Sequence, residues 1–251
     1  MNQTIATQKL HRTIRAFKEG SLSEDIIKEL LEVARRTATS TGLQSASIIR
    51  VKDQKKRNEL AKVSGQPYVA SSAELWIFIV DTYRNQRIAE QKGVNTDAGR
   101  DMDRFFQGFS DGAFMAQNVL NALESLELGG VYLGSLHNDD RRVIEILELP
   151  ELTFPIIGLS FGEKDQSPQL KPKMDMSLRC FEDVYKIEKD YLEIFKDYDE
   201  EMQTYYDLRD ANNRVDSFTN QIATQYANPS AKRNEILDII LEQGYTLNPR
   251  L

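Results

Sequence analysis

The sequence predicts an α+β fold, and three observations support that prediction. Short apolar runs rich in β-branched residues occur at 46–51, 75–80 and 154–161, which is typical of buried strands. Apolar residues recur at helical spacing along 104–127, which predicts one long helix. These segments lack the regular β-α-β alternation of a doubly wound parallel sheet, so strands and helices mixed in another order are expected.

A first well-marked helix is expected to begin at Ser23, which is a good capping residue followed by an acidic first turn. The long helix is expected to stop at the pair Gly129 and Gly130. From about 165 to 230 the chain becomes polar and aromatic, which indicates a helical excursion on the outside of a single domain spanning 1–251. A last helix, about 231–243, is expected to stop at Gly244.

Composition excludes several classes of protein. The net charge of −7 argues against nucleic acid or an anionic membrane as partner, since both would be repelled. The single cysteine, Cys180, rules out an intramolecular disulfide and is expected to be at least half-buried, and the two histidines show no zinc-site spacing. The polar N-terminus and the short apolar runs predict a cytoplasmic protein. Neither GxGxxG nor GxxxxGK[ST] occurs in the sequence.

The segment from His11 to Arg15 concentrates two guanidiniums, an imidazole and a hydroxyl in an acidic chain. Such a cluster suits a phosphate, because bidentate guanidinium contacts to phosphate are strong hydrogen bonds. Taken by itself, the segment is a weak signal, because basic residues near an N-terminus more often form a solvated surface.

Further pieces follow in a fixed order along the chain. They are His11-Arg12-Thr13-Ile14-Arg15, Thr39-Ser40-Thr41, Gly65-Gln66-Pro67-Tyr68-Val69, Glu124-Ser125-Leu126, Leu128-Gly129-Gly130-Val131, Lys171-Pro172-Lys173, Tyr205-Tyr206-Asp207-Leu208-Arg209 and Asn212-Asn213-Arg214. This series resembles the oxygen-insensitive NADPH nitroreductase and flavin reductase family, the larger type of FMN-dependent nitroreductase. The resemblance implies a mixed, mainly antiparallel sheet surrounded by helices. It also implies a homodimer with FMN at the interface, in which the segment at about 231–251 embraces the partner. A C-terminal helix that packs only on its own subunit is the alternative.

The resemblance implies non-covalent FMN, whose phosphate would be bound by His11, Arg12 and Thr13 and by Lys171 and Lys173. Many relatives have Arg at the position of Lys173, so a point charge replaces a bidentate fork there. An exposed basic turn is the ordinary interpretation of Lys171-Pro172-Lys173 without the resemblance.

The resemblance places a second set of residues around the flavin ring. Arg15 would reach the pyrimidine side, where a positive charge stabilises the anionic reduced flavin. The others are Thr39, Thr41, Gln66, Tyr68, Gly129, Gly130 and Val131. Relatives often carry a bulky aromatic residue at the position of Gly42, so a roomier substrate site is expected here.

Arg209 and Arg214 match the arginines that recognise the 2′-phosphate of NADPH in this family, although solvated surface charge is the ordinary explanation for both. The implied activity is ping-pong hydride transfer from NADPH through FMN to nitroaromatics, quinones or free flavins, with no side chain as acid or base. Two alternatives remain at this stage. The first is a flavin-loaded binding or sensor protein, and the second is a flavin-fragmenting or dehalogenating enzyme on the same scaffold.

Overall fold

A computed structural model describes residues 2–205 and 216–248 of the chain. The chain divides into two compact units, each described by itself below. The first comprises Met1–Ser167 with Ala231–Leu251, and the second comprises Pro168–Ser230. The expectation of one domain over 1–251 stays a prediction.

A four-stranded sheet forms the centre of the first unit. Its strands are β1 (Ala46–Arg50), β2 (Glu74–Asp81), β3 (Gly129–Leu133) and β4 (Thr153–Gly162). They lie in the order β1-β2-β4-β3, and all three pairings of this sheet are antiparallel. The three strands predicted from apolar runs are thus confirmed. The sequence reasoning missed β3.

The helices of the first unit cover the sheet and its edges. They are α1 (Gln3–Lys9), α2 (Glu24–Arg35), α3 (Gln54–Ser64), α4 (Tyr68–Ser71), α5 (Tyr83–Gln91), α6 (Met102–Ser125), α7 (Asp140–Leu147) and α11 (Ile236–Glu242). Three short 3₁₀ turns occur at Ala98–Arg100, Gly134–Asn138 and Lys232–Glu235. Helix α2 begins as predicted, because the Ser23 hydroxyl accepts the Ile26 N–H, and it buries Ile27, Leu30 and Ala34.

Helix α6 runs across the sheet and is the longest of the described helices. Its start is capped by Asp101, whose carboxylate accepts the N–H of Asp103. The helix ends at Ser125, and Glu127 takes the left-handed conformation with φ of 60°. The expected stop at Gly129 and Gly130 is therefore wrong. Both glycines are buried in β3, where small residues are needed for close packing.

Buried apolar side chains fill both faces of the sheet. One core cluster packs α2 and α6 against Trp76, Phe78 and Phe161. A second cluster lies on the opposite side, around Leu60, Leu75 and Ile77, together with residues of β3 and α7. Among the helices of the described ranges, none is long and apolar enough to cross a membrane.

The C-terminal segment packs on its own chain up to Thr246, whose N–H donates to the carbonyl of Arg100 at 2.9 Å. Ile239 and Ile240 of α11 are buried beside Phe105 and Phe154, and the Tyr245 hydroxyl lies 3.0 Å from the Thr82 hydroxyl. The helical part is shorter than the expected 231–243, because a 3₁₀ turn precedes α11. An embrace of a partner subunit by this segment stays a prediction.

The second unit contains α8 (Tyr191–Ile194), α9 (Lys196–Thr204), α10 (Phe218–Ala227) and a 3₁₀ turn at Met176–Leu178. Asp199 joins α9 to the start of α10, since its carboxylate accepts the N–H of Thr219 at 2.9 Å. The Phe218 ring packs against Phe195 and Tyr198, with ring centroids 5.4 and 5.3 Å apart. Cys180 is exposed in an irregular stretch, so the expectation of a buried or half-buried thiol is wrong.

Candidate functional site

The N-terminal segment lies against the start of β3. The Ile14 N–H donates to the carbonyl of Gly130 at 3.1 Å, and the N–H of Asp165 donates to the carbonyl of Ala16 at 3.0 Å. Ile14 is buried, whereas the flanking Thr13 and Arg15 are half-buried. These contacts hold the cationic segment in one position on the protein and do not leave it as a free tail.

Gly129 and Gly130 have packing reasons that involve the protein itself. A Cβ on Gly129 would lie 2.6 Å from Ile14 Cγ1, so only glycine allows the N-terminal segment to approach β3 this closely. A Cβ on Gly130 would lie 3.1 Å from Leu120 Cδ1 in the core. The side chain of Val131 is also buried in the core. A cofactor role for these three residues stays a prediction.

His11 is oriented by a carboxylate that the sequence reasoning named only as part of a motif. His11 Nδ1 lies 2.5 Å from Oε1 of Glu124, and the Glu124 side chain is only 12% exposed. A carboxylate accepts the Nδ1–H, which leaves Nε2 for another partner. Both residues line a cavity of about 280 Å³ together with Gln8, Gln117, Asn121 and Tyr132.

Arg12 and Arg15 have few partners among the residues that the structure describes. Arg12 Nη1 donates to the carbonyl of Leu10 at 3.0 Å. Within residues 2–205 and 216–248, the side chain of Arg15 has no hydrogen bond or ion pair to another side chain or to the backbone. Most of the described arginines are paired with a carboxylate, as Arg50 is with Glu74 at 2.5 Å. Two half-buried guanidiniums without carboxylates make this segment a candidate anion site.

A second group of predicted residues lies in the loop at 39–45. Its backbone is tightly turned, with φ of 50° at Thr41, 74° at Gly42 and 53° at Gln44. Asp111 of α6 is 1% exposed and holds the loop, because its carboxylate accepts the Ser40 N–H at 2.7 Å and the Ser45 N–H at 3.0 Å. Sequence reasoning missed Asp111, because an acid inside a helix gives no local sign of such a contact.

Two cavities border this loop. One, of about 700 Å³, is lined by Thr39 and by the arginines Arg35, Arg36 and Arg84. The other, of about 460 Å³, is lined by Gly42, Leu43 and residues of α5 and the start of α6. The cavity beside His11 shares no lining residue with either of these two cavities. The residues predicted to bind one cofactor therefore border separate cavities of the chain.

The remaining predicted residues lie elsewhere. Gln66 follows α3, and its N–H donates to the Ser64 hydroxyl at 3.2 Å, while Tyr68 is half-buried at the start of α4. In the second unit Lys171 is half-buried and Lys173 is exposed, and the carbonyl of Pro172 between them accepts the Tyr198 hydroxyl at 3.3 Å. Arg209 and Arg214 lie outside the described residues.

The structure shows an α+β fold that carries a candidate anion site, and comparison with known proteins gives the family. The model of the nitroreductase family matches residues 9–163, and the model of the nitroreductase family C-terminal domain matches 171–248. The chain therefore belongs to the nitroreductase family and is a reductase. The predictions of family, fold class and enzyme are confirmed.

Individual relatives agree over nearly the whole length of the chain. An NADPH-dependent oxidoreductase of Staphylococcus saprophyticus is 36% identical over 247 residues, covering 94% of this chain and 95% of the relative. The NfrA1 nitroreductase from B. subtilis superposes with a TM-score of 0.90 at 31% identity, covering 98% of this chain and all of that one. The NADPH:FMN oxidoreductase from Vibrio harveyi, solved with NAD⁺, gives a TM-score of 0.85 at 33% identity, covering 97% and 99%.

Proposed function

We propose that this chain is an FMN-dependent NADPH oxidoreductase that reduces nitroaromatics, quinones or free flavins by two-electron transfer. The names of the relatives support NADPH as donor, and one solved neighbour is an NADPH:FMN oxidoreductase. The observation that carries the proposal is the cationic segment from His11 to Arg15. It is fixed on β3, and its guanidiniums have no carboxylate partner among the described residues.

The residues present fit FMN. Arg12 and Thr13 are half-buried beside Arg15, so donors of two kinds are available for a phosphate and for a ring oxygen. His11 offers Nε2, since Glu124 occupies Nδ1. Lys171 and Lys173 would add positive charge to the same phosphate, as the resemblance implies. Thr39, Thr41, Gln66 and Tyr68 would contact the ring, together with the backbone of 129–131.

FMN, when bound, supplies the two-electron chemistry that no side chain of this protein can perform. The chain contributes binding, position and charge. Arg15 would stabilise negative charge on the pyrimidine side of the ring, and Asp111 would keep the loop at 39–45 in one conformation. With a quinone as acceptor, NADPH and one proton are consumed, and NADP⁺ and a hydroquinone are released. We propose ping-pong kinetics, in which NADP⁺ leaves before the acceptor binds.

Arg209 and Arg214 are proposed to recognise the 2′-phosphate of NADPH, which NADH lacks. The 2′-phosphate is remote from the transferred hydride, so these contacts should act as uniform binding energy. Changing either arginine to Ala should raise KM for NADPH, leave kcat almost unchanged and hardly affect NADH. Steady-state kinetics with both nicotinamides checks this expectation. Equal losses with NADPH and NADH would show that the arginines are structural.

The proposed function as a whole is tested on the purified protein. Its visible spectrum should show bound flavin, released on denaturation as FMN at about one per subunit, a proportion the resemblance implies. Anaerobic NADPH should bleach the spectrum, and a quinone should then restore it. A colourless protein that does not take up added FMN would overturn the proposal. Bound FMN with very slow NADPH oxidation would instead favour a sensor or binding protein.

A further inference from the structure

The cavity of about 460 Å³ beside the loop at 39–45 has the size of a small-molecule site. Its walls are largely apolar, formed by Leu43, Ile88, Ala89, Val94 and Ala98. Gly42 is at its edge with φ of 74°, and no atom lies within 4 Å of the position that a Cβ would occupy there. A flat aromatic compound could therefore enter on the side where a bulky residue is missing.

Arg104 is the one charged side chain among the described residues that line this cavity. It is half-buried at the start of α6, and Nη1 donates to Oε1 of Gln107 at 2.9 Å. No carboxylate of the described ranges lies within ion-pair distance of it. A neutral amide thus orients the guanidinium without neutralising it, and its remaining donors are available for an anion.

The orientation of Gln107 is itself fixed by neighbouring residues. Its Nε2 donates to the carboxylate of Asp103 at 2.6 Å, so its Oε1 faces away from that acid. The same Oε1 accepts from Arg104 and from the Thr41 hydroxyl, the latter at 3.3 Å. One amide oxygen thereby joins the guanidinium to the loop that we propose lies at the edge of the flavin ring.

We propose that this cavity binds the electron acceptor and that Arg104 selects aromatic acceptors that carry a carboxylate or another anionic group. This inference rests on the proposed function, because it takes the loop at 39–45 as the border of the reaction site. Arg104 is then a specificity-determining residue. The apolar walls bind the aromatic ring, and the guanidinium binds the anion.

The test compares two acceptors of nearly equal shape, 4-nitrobenzoate and the neutral 4-nitrobenzamide, in NADPH oxidation by the FMN-loaded enzyme. The wild type should favour 4-nitrobenzoate in kcat/KM by roughly three- to tenfold, the effect of a partly exposed charged hydrogen bond. In Arg104→Gln this ratio should fall to about one. The ratio should also decrease as salt is added.

Arg87→Gln is the matched control. It removes one positive charge from α5, but Arg87 pairs with Glu90 and does not line the cavity. This variant should keep the preference of the wild type. The inference would be overturned if the wild type used both acceptors with nearly equal kcat/KM, or if Arg104→Gln kept the wild-type preference. In either case, turnover of the acceptors would still support the proposed function.

Direct binding separates the two proposals. Calorimetric titration of the FMN-loaded protein with 4-nitrobenzoate should give weaker binding in Arg104→Gln than in the wild type and in Arg87→Gln. Equal binding by all three proteins would count against the cavity. Failure to retain FMN or to oxidise NADPH with either acceptor would count against the proposed function itself.

Discussion

Arg12 and Arg15 show how a single residue type can indicate a ligand. In a chain with 39 acidic and 32 basic residues, a half-buried arginine would ordinarily find a carboxylate, as Arg50 does with Glu74 and Glu24. Among the described residues, Arg12 instead donates a hydrogen bond only to a backbone carbonyl, that of Leu10. Keeping a guanidinium partly desolvated without an anion is unfavourable, so its position is best explained by a ligand that supplies the negative charge.

We expect Arg12→Ala to weaken FMN retention by about 1.5 to 3 kcal/mol, the range for hydrogen bonds to charged groups. Equilibrium dialysis of FMN against the apoprotein measures the loss. Lys9→Ala, which removes an exposed cation from the end of α1, serves as the control and should retain FMN normally. Unchanged affinity in Arg12→Ala would show that this guanidinium is only surface charge.

Asp111 is a buried carboxylate whose two oxygens accept backbone N–H groups at both ends of the loop at 40–45. Asp111→Asn keeps the shape but sets an NH₂ group against one of those donors, which leaves a backbone N–H unsatisfied. We expect a loss of about 1 to 3 kcal/mol in the free energy of unfolding, measured by urea denaturation. FMN affinity should fall as well, because the loop would no longer be held.

The neighbouring Ser110→Ala variant is the control for Asp111→Asn. Among the described residues, the Ser110 hydroxyl donates only within the helix, to the carbonyl of Phe106. It should change both quantities little. If Asp111→Asn is as stable as the wild type and binds FMN equally well, the carboxylate does not shape the loop.

Individual site residues differ in how far the sequence could reveal them. The segment from His11 to Arg15 was recognisable, because its cationic residues are adjacent in the chain. Asp111 and the pairing of His11 with Glu124 were not, since those contacts join residues 66 or more positions apart. Gly129 was predicted to stop a helix and to lie beside the flavin ring. Only the structure shows that Ile14 and Lys164 crowd it.

At the scale of secondary structure elements, a strong sequence pattern was sufficient to predict an element, and a weak pattern was not. The strands β1, β2 and β4 were predicted because each contains a run of apolar residues that includes β-branched ones. Strand β3 begins with two glycines, whose local propensity favours a turn over a strand. Its pairing with β4 nevertheless makes this segment a strand. The same two glycines were predicted to stop α6, but the helix ends earlier, at Ser125.

His137 joins three elements, and its environment gives a prediction about pH. Its Nδ1 lies 2.8 Å from the carboxylate of Asp140 at the start of α7, and Nε2 lies 2.9 Å from the carbonyl of Ile156 in β4. Burial lowers the pKa of His137, but the hydrogen bond to Asp140, the charge of Asp140 and the hydrogen bond to the Ile156 carbonyl together raise the pKa more, so the net shift is upward. The positive charge of Arg233 opposes that rise.

A pKa that is higher in the folded state means that the protonated imidazolium stabilises the fold. This stabilisation is complete below the ordinary pKa of 6.5 and is lost as pH rises through the folded-state pKa. We expect His137→Gln to lower the free energy of unfolding by about 1 to 3 kcal/mol at slightly acidic pH. The difference in the free energy of unfolding between this variant and the wild type should become smaller as pH rises. Urea denaturation at several pH values measures it, and a gap that widens with pH would contradict the assignment.

At the scale of the whole molecule, the surface of α6 is unusual. Phe106 and Phe114 are 60% and 56% exposed, and Phe109 is 39% exposed, so three aromatic side chains on one helix contact solvent in the isolated chain. Exposed apolar residues in a row favour an interface with another protein. A second copy of this chain is the partner that the resemblance implies, and it would also bring together predicted site residues that border separate cavities.

We therefore expect a homodimer that shares its FMN sites between the subunits. Light scattering at micromolar concentration should report about twice 28.8 kDa. Phe114→Glu introduces a charge on the exposed face of α6 and should shift the protein towards the monomer, whereas Phe114→Leu keeps an apolar contact and should remain dimeric. Because the site would need both subunits, the monomeric variant should also lose FMN, although every cationic residue of the site is still present. An FMN-loaded, active monomer would refute the shared site, and a Phe114→Glu protein that stays dimeric would place the interface on another surface.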